Sequence, residues 1–211
     1  MPKNLRVRVG FSFHCFNFIS VKKSLQHIYS HFLLSQENVR EIMDAHDEVN
    51  ITKGDILLSE GQIAAAYYIV EEGLVRAYVN GLDGSEITTE FFIENEIVII
   101  PSSLFQKIPS VENVQAVTDC TLFKIDYEKF QELFHRQEGL REWGRAWFSY
   151  QLFTMKQRSL DMITETASAR YLKLMKDKPE IIRQAPLKHI ATYLGITDTS
   201  LSRIRKEITA K

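Results

Sequence analysis

The chain has 211 residues, 45% of them hydrophobic and 25% charged, with nine glycines, five prolines and a formal net charge of −1. This composition excludes disordered, collagen-like and coiled-coil classes and leaves room for a real core in one or two domains. Residues 1–165 hold 16 basic and 23 acidic side chains, residues 166–211 ten and four, so the C-terminal quarter is basic and suits a polyanion or a solvated helical face.

Lys3, Arg6 and Arg8 precede a Phe-rich stretch from Phe11 to Phe18. His14 and Asn17 interrupt it and no small-residue cleavage site follows, so a signal peptide is not expected. The alternating phenylalanines suit a strand or an extended arm, and residues 1–22 are set apart as an N-terminal extension. No run of 18 apolar residues occurs, which argues against a membrane span.

Two helices are predicted next, over 24–32 and 36–46, the second capped by Ser35. From Asn50 the texture changes to short apolar runs between turn residues. Gly54, Gly61, a turn at Glu72-Gly73, and Asn80-Gly81 with Asp83-Gly84 separate strand-like segments that continue through 86–92, 96–100 and 114–125. Short strands at such spacing read as a barrel or sandwich. A helix capped by Asp126 is predicted over 126–134, and a long one over 138–163.

The long helix carries two apolar lines. Leu140, Trp143, Trp147 and Tyr150 form one; Phe148, Leu152, Met155 and Met162 form the other. One line packs a helix on its own domain and a second suggests another partner. The first line is assigned to a homodimer interface, with burial inside one subunit as the alternative.

The segment from Pro186 to Ile208 is the most specific. Pro186 suits a helix start, Gly195 a left-handed stop, and Thr197 the cap of a second helix over about 197–208. Ile190, Leu194, Ile196, Leu201 and Ile204 fall inward, and Ala191 is small where two helices cross. Together these describe a helix-turn-helix, whose second helix enters the major groove of double-stranded DNA. Thr199, Ser202, Arg203 and Lys206 share the opposite face, and with Thr197, Asp198 and Ser200 they are the candidate DNA contacts.

With these motifs, residues 24–211 resemble the Crp–Fnr family of bacterial transcription regulators. Residues 53–61, 68–76, 166–171 and 201–206 carry the resemblance. It implies an α+β architecture. A jelly-roll-like β-roll sensor (23–135) would precede a dimerisation helix (136–163) and a C-terminal helix-turn-helix domain (164–211). DNA, a second copy and RNA polymerase are the implied partners.

The family's cyclic-nucleotide cassette is altered. Its Gly-Glu pair falls on Ile99-Ile100 and its Arg on Ser110, and no Arg lies between Arg76 and Arg136. An aliphatic side chain accepts nothing from a ribose hydroxyl, and a serine does not pair bidentately with a phosphate. The effector pocket is therefore expected, in degenerate form, from Ile99, Ile100, Ser102, Ser103, Ser110 and Val111. Lys107 offers a charge without that geometry. Cyclic AMP is not expected to be the effector, and its identity is left open.

Two cysteines, Cys15 and Cys120, are too few for a four-thiolate iron–sulfur cluster and suit a reducing, cytoplasmic setting. His14 and Cys15 match haem ligands by type alone, and no cofactor or metal is assigned. No P-loop, nucleophile elbow or zinc-spaced set occurs, so an enzyme is not expected. The competing reading is a β-roll sensor or interaction module whose helix-turn-helix is purely structural.

Overall fold

The computed structural model describes residues 22–209, so the Phe11–Phe18 arm, His14 and Cys15 lie outside the described residues. Helix α1 (Lys23–Ile28) stops short of its predicted end at Phe32, and α2 (Gln36–Asp44) follows. Ser35 caps α2 as its sequence suggests. Its hydroxyl accepts from the Asn38 amide, and the Asn38 side chain accepts from the Ser35 amide.

The strands among the described residues are β1 (Asp47–Ile51), β2 (Ile56–Leu58), β3 (Ala66–Glu72), β4 (Val75–Asn80), β5 (Glu86–Phe92), β6 (Ile97–Val98), β7 (Asn113–Ala116) and β8 (Cys120–Asp126). A short helix, α3 (Pro101–Gln106), separates β6 from β7. The strands form two antiparallel sheets, ordered β1-β8-β3-β6 and β2-β7-β4-β5, the two faces of a β-roll. Val70 and Leu122 from one sheet meet Val75, Ala77 and Val114 from the other in the interior.

The turn at Glu72-Gly73 exists, but the chain changes sheet there. β3 pairs with β6 and β8, whereas β4 pairs with β5 and β7. Gly73 has φ +102, and a Cβ on it would stand 2.5 Å from the Asp119 carbonyl oxygen and 2.6 Å from Cys120 Sγ. Only glycine meets both demands without strain. The hairpin signalled by Asn80-Gly81 and Asp83-Gly84 joins β4 to β5, paired from Val75↔Phe92 to Asn80↔Glu86.

After β8 come α4 (Tyr127–Arg136) and α5 (Glu138–Thr164). Asp126 holds the cap position of α4, but its carboxylate makes no capping bond. It pairs with Lys124 at 2.8 Å instead.

The assignment of the first apolar line to a dimer interface is corrected for two residues. Leu140 is fully buried in the subunit's own core. Trp143 is buried too, donates its indole N–H to the Ile28 carbonyl at 2.6 Å, and lies 4.8 Å from the Tyr29 ring. Trp147 is half-buried, stacked on Trp143, and only Tyr150 of the four is exposed. The residues left bare on α5 include the second line: Phe148, Leu152, Met155 and Met162. Helical spacing reveals a stripe without revealing what covers it.

The chain ends in α6 (Ala167–Asp177), α7 (Pro179–Gln184), α8 (Leu187–Tyr193) and α9 (Asp198–Thr209). Thr166 caps α6 by accepting from the Ala169 amide. These helices do not build a core alone. Leu74, Phe91 and Val117 of the roll join Tyr171, Ile181, Ile190 and Leu201 in one buried cluster.

A directional polar chain crosses the other core. His46 Nδ1 is 2.7 Å from the Ile42 carbonyl and must donate to it, so Nε2 accepts from the Tyr29 hydroxyl at 3.2 Å. Tyr29 in turn accepts from Tyr67 at 2.7 Å. Burial pushes the imidazole down to about 4. Unfolded, the same ring takes a proton near its ordinary value of 6.5. Between those values the unfolded chain binds more protons, so stability falls as pH drops through that window, by roughly 2–3 kcal/mol from this residue. Urea unfolding near neutral pH and again at about pH 4.5 should show His46→Gln losing less stability on acidification than the wild type, by about that amount.

Candidate functional site

Pro186 stands just before α8, and its carbonyl accepts from the His189 and Ile190 amides. Its ring leaves no orphan N–H at the helix start. At the other end Gly195 takes φ +67, and its N–H reaches the Thr192 carbonyl at 3.0 Å. Two residues later Thr197 caps α9, its hydroxyl accepting from the Ser200 amide at 3.2 Å. Ile190, Ala191, Leu194, Leu201 and Ile204 are all buried at the crossing, with Ile196 and Ile208 half-buried beside them. Every inward position read from the sequence is inward.

The outer face of α9 carries Thr199, Ser202, Arg203 and Lys206, all exposed. Arg203 is 3.9 Å from Glu207, with its side chain 76% exposed, so the guanidinium is at most lightly held. Asp198 lies in the first turn, where a carboxylate is favoured by the helix dipole. Ser200 is half-buried and its hydroxyl is bonded to that of Thr197 at 3.0 Å. It belongs to the cap more than to the open face.

The roll holds a cavity of about 450 Å³. Leu57, Leu58, Ile63, Val98, Ile99, Ile100 and Val114 line it with Ala64, Ala65 and Ala66, and Gln62, Tyr68 and Lys124 are its polar members. Ile99 and Ile100 are thus where the sequence puts them. The serines are not. Ser103 is fully buried and its hydroxyl accepts from the Ala64 amide at 2.8 Å. Ser110 is buried, donating to the Glu112 carbonyl at 2.7 Å, while its backbone is tied to Gly61 and Gln62. Ser102 and Val111 face outward, away from the lining residues. Lys107 lies with its ammonium 3.7 Å over the Tyr127 ring and does not line the cavity. Among the lining residues that were missed, Tyr68 and Lys124 are cross-strand partners on β3 and β8, a pairing that no local motif announces. The neighbouring Asp126 holds the Lys124 ammonium above its ordinary range, and burial raises the Tyr68 hydroxyl.

Sequence reasoning also missed the seam between α8 and the roll. Arg76 on β4 is 1% exposed and donates to Glu86 and, at 2.7 Å, to Gln115. From α8, His189 Nε2 stands 3.7 Å from the Glu86 carboxylate, and neither ring nitrogen has a hydrogen-bond partner. Burial, with Arg76 and Lys188 nearby, pushes this imidazole down to about 4. No group of three or more His, Cys, Asp or Glu side chains able to hold a metal occurs among the described residues. No helix among them is long and apolar enough to cross a membrane.

Residues 48–137 match the sequence model of the family described as cyclic nucleotide-binding domain. Comparison with curated protein sequences gives no match. Among solved structures, the chain is similar to FixK2 from Bradyrhizobium japonicum, with a TM-score of 0.67 and 19% identity, over 78% of this chain and 85% of that one. It is also similar to the c-di-GMP responsive global regulator CLP of Xanthomonas campestris, with a TM-score of 0.64 and 17% identity, over 83% and 92%. For the catabolite activator protein of Thermus thermophilus the values are 0.54 and 20%, over 89% and 87%. At these identities the likeness is one of fold: a β-roll followed by a long helix and further helices.

The cavity walls generate a prediction of their own. The resemblance puts Ile99 and Ile100 where a ribose would be held, and Ser110 is turned into its own loop, so cyclic AMP and cyclic GMP would lose a charge-assisted contact, at about 1.5–3 kcal/mol. Titration calorimetry should therefore detect no micromolar binding of either nucleotide, and neither should raise the thermal midpoint. A tight one-to-one complex would overturn this account of the cavity.

Proposed function

We propose that the chain is a DNA-binding transcription regulator of Crp–Fnr type that works as a homodimer. Residues 23–135 would serve as its sensor, 136–163 as its dimerisation helix and 164–211 as its reading domain. The observation that carries this reading is the face of α9. A capped helix, held against α8 across Gly195, leaves Thr199, Ser202, Arg203 and Lys206 together in solvent. Hydroxyls, one guanidinium and one ammonium on a helix of that width suit base edges and phosphates in a major groove. Cyclic AMP is not expected to be the effector, a pocket that takes no ligand at all is the alternative, and RNA polymerase is the further partner that the resemblance implies. Packing of α8 on the roll would serve equally a helix-turn-helix that is only structural, and DNA binding by the wild type separates the two.

Arg203 stands one turn beyond Thr199, where it can pair bidentately with guanine O6 and N7. Lys206, a turn further on, is assigned to phosphate. A symmetric dimer reads half-sites about 34–36 Å or a multiple apart, so the operator is a pseudo-palindrome. Arg203→Ala should cost about 1–3 kcal/mol on the selected operator and little on scrambled duplex. Lys206→Ala should weaken both and lower the salt slope by about 1. Titrations at several salt concentrations check this. No DNA binding by the wild type, with or without cell extract, would sink the reading.

The dimer is assigned to the second line of α5. Phe148, Leu152 and Met155 are 41%, 71% and 66% exposed, a bare apolar row on a helix whose buried residues all lie in its first turns, between Gly139 and Gly144. A second copy of α5 across a two-fold axis covers it. Leu152→Asp with Met155→Asp should shift sedimentation from dimer to monomer without loss of helicity. Trp143→Ala should instead lower the melting temperature, because that side chain belongs to the subunit core.

A further inference from the structure

β5 is an outer strand of its sheet, and an outer strand presents N–H and C=O groups that no neighbouring strand takes. Three of these groups on β5 are taken by side chains from further along the chain. The Thr88 amide donates to Thr192 Oγ1 at 3.2 Å, the Lys178 ammonium donates to the Phe91 carbonyl at 3.3 Å, and the Arg158 guanidinium donates to the Thr89 carbonyl. Arg158 reaches further. Its second amino group is 3.4 Å from the carbonyl of Tyr193, the last residue of α8, and its Cζ lies 4.1 Å from the centre of the Tyr193 ring. The Glu90 carboxylate stands 3.5 Å away. One side chain rooted on α5 therefore grips both the roll and the first helix of the helix-turn-helix.

We propose that Arg158 is the positioning residue that sets the angle of the helix-turn-helix on its own roll, and with it the separation of the two reading helices in the dimer. This rests on the DNA-binding reading above. Backbone continuity alone does not fix that angle, since α6 joins α5 through Glu165 and Thr166 in extended conformation. The shared apolar cluster holds the two parts together, but apolar contact is non-directional and resists rolling poorly. A planar fork bonded to two carbonyls and stacked on a ring is directional. The Thr88–Thr192 and Lys178–Phe91 hydrogen bonds each fix one point of the seam, and without the fork that spans β5 and the end of α8 the reading helix swings about them.

Two measurements on the full-length chain test this, one of them free of DNA. Amide exchange over residues 187–194 should quicken about tenfold in Arg158→Ala, the lower end for a lost charge-assisted contact, while residues 66–72 are unchanged. Arg158→Lys should behave like Arg158→Ala, because one ammonium does not span both carbonyls. Arg145→Ala, at the far end of α5, should change nothing. On the selected operator, Arg158→Ala should bind about tenfold more weakly, and should lose most of the wild-type penalty for inserting or deleting base pairs between half-sites. Unaltered exchange over 187–194, full rescue by lysine, or an intact spacing penalty each overturns the proposal. If the wild type binds no DNA, the regulator reading fails, and the proposal's claim on reading-helix separation fails with it. The exchange arm would then show whether Arg158 fixes α8 at all.

Discussion

An outer strand of a sheet must be covered, solvated or paired with something else, and β5 is such a strand, at one edge of its sheet. Its cover is supplied by residues that lie 69 to 104 positions further on, from Arg158 on α5 to Thr192 on α8. The same contact closes the apolar cluster in which Phe91 and Leu74 meet Ile190 and Leu201. The placement of α8 follows from it, and α9 is fixed to α8 across Gly195. The orientation of the exposed face of α9 is therefore decided by the edge of the roll as much as by the long helix.

The sheet is prepared for that cover before the helix arrives. Taking the Arg76 guanidinium out of water costs several kcal/mol unless its protons are bonded. Glu86, Gln115 and Thr88 accept from it, and the Tyr78 ring lies 4.2 Å from it, all on strands β4, β5 and β7. The charge is thus satisfied within the sheet, and α8 need only bring a neutral surface. His189 fits because burial and the nearby cations keep its ring uncharged. Its unfolded proton affinity lies near 6.5 and its folded one near 4, so as pH falls through that interval this ring's contribution to the seam declines.

What the sequence disclosed divides along locality. The α8–Gly195–α9 pair was legible, since cap, glycine, small crossing residue and inward stripe all sit within 23 consecutive positions. The β4–β5 hairpin was legible for the same reason, through glycines that its turn demands. The change of sheet at Gly73 was not, because the partner that forces glycine there is Asp119 and Cys120, far along the chain. Asp126 looked like a cap and became an ion-pair partner because Lys124 lies beside it. Leu140 and Trp143 had the spacing of an interface, but both belong to the core cluster, Trp143 against Ile28 and Tyr29, and nothing in the periodicity of α5 reports those partners. The cavity was legible only in part, at two of the six positions expected to line it. Ile99 and Ile100 line it, while Ser103 and Ser110 had been claimed by backbone groups of the 61–64 loop.

The cover over β5 has one more consequence, for how the molecule comes apart. A fragment ending at the α5–α6 turn would keep both sheets and the 450 Å³ cavity. It would also bare the Thr88 amide and the Phe91 carbonyl beside the apolar surface of Phe91, Leu74 and Val117. A naked strand edge next to a greasy patch is a template for another copy of itself. The isolated roll would then tend to aggregate edge to edge, and the C-terminal helices double as its built-in chaperone.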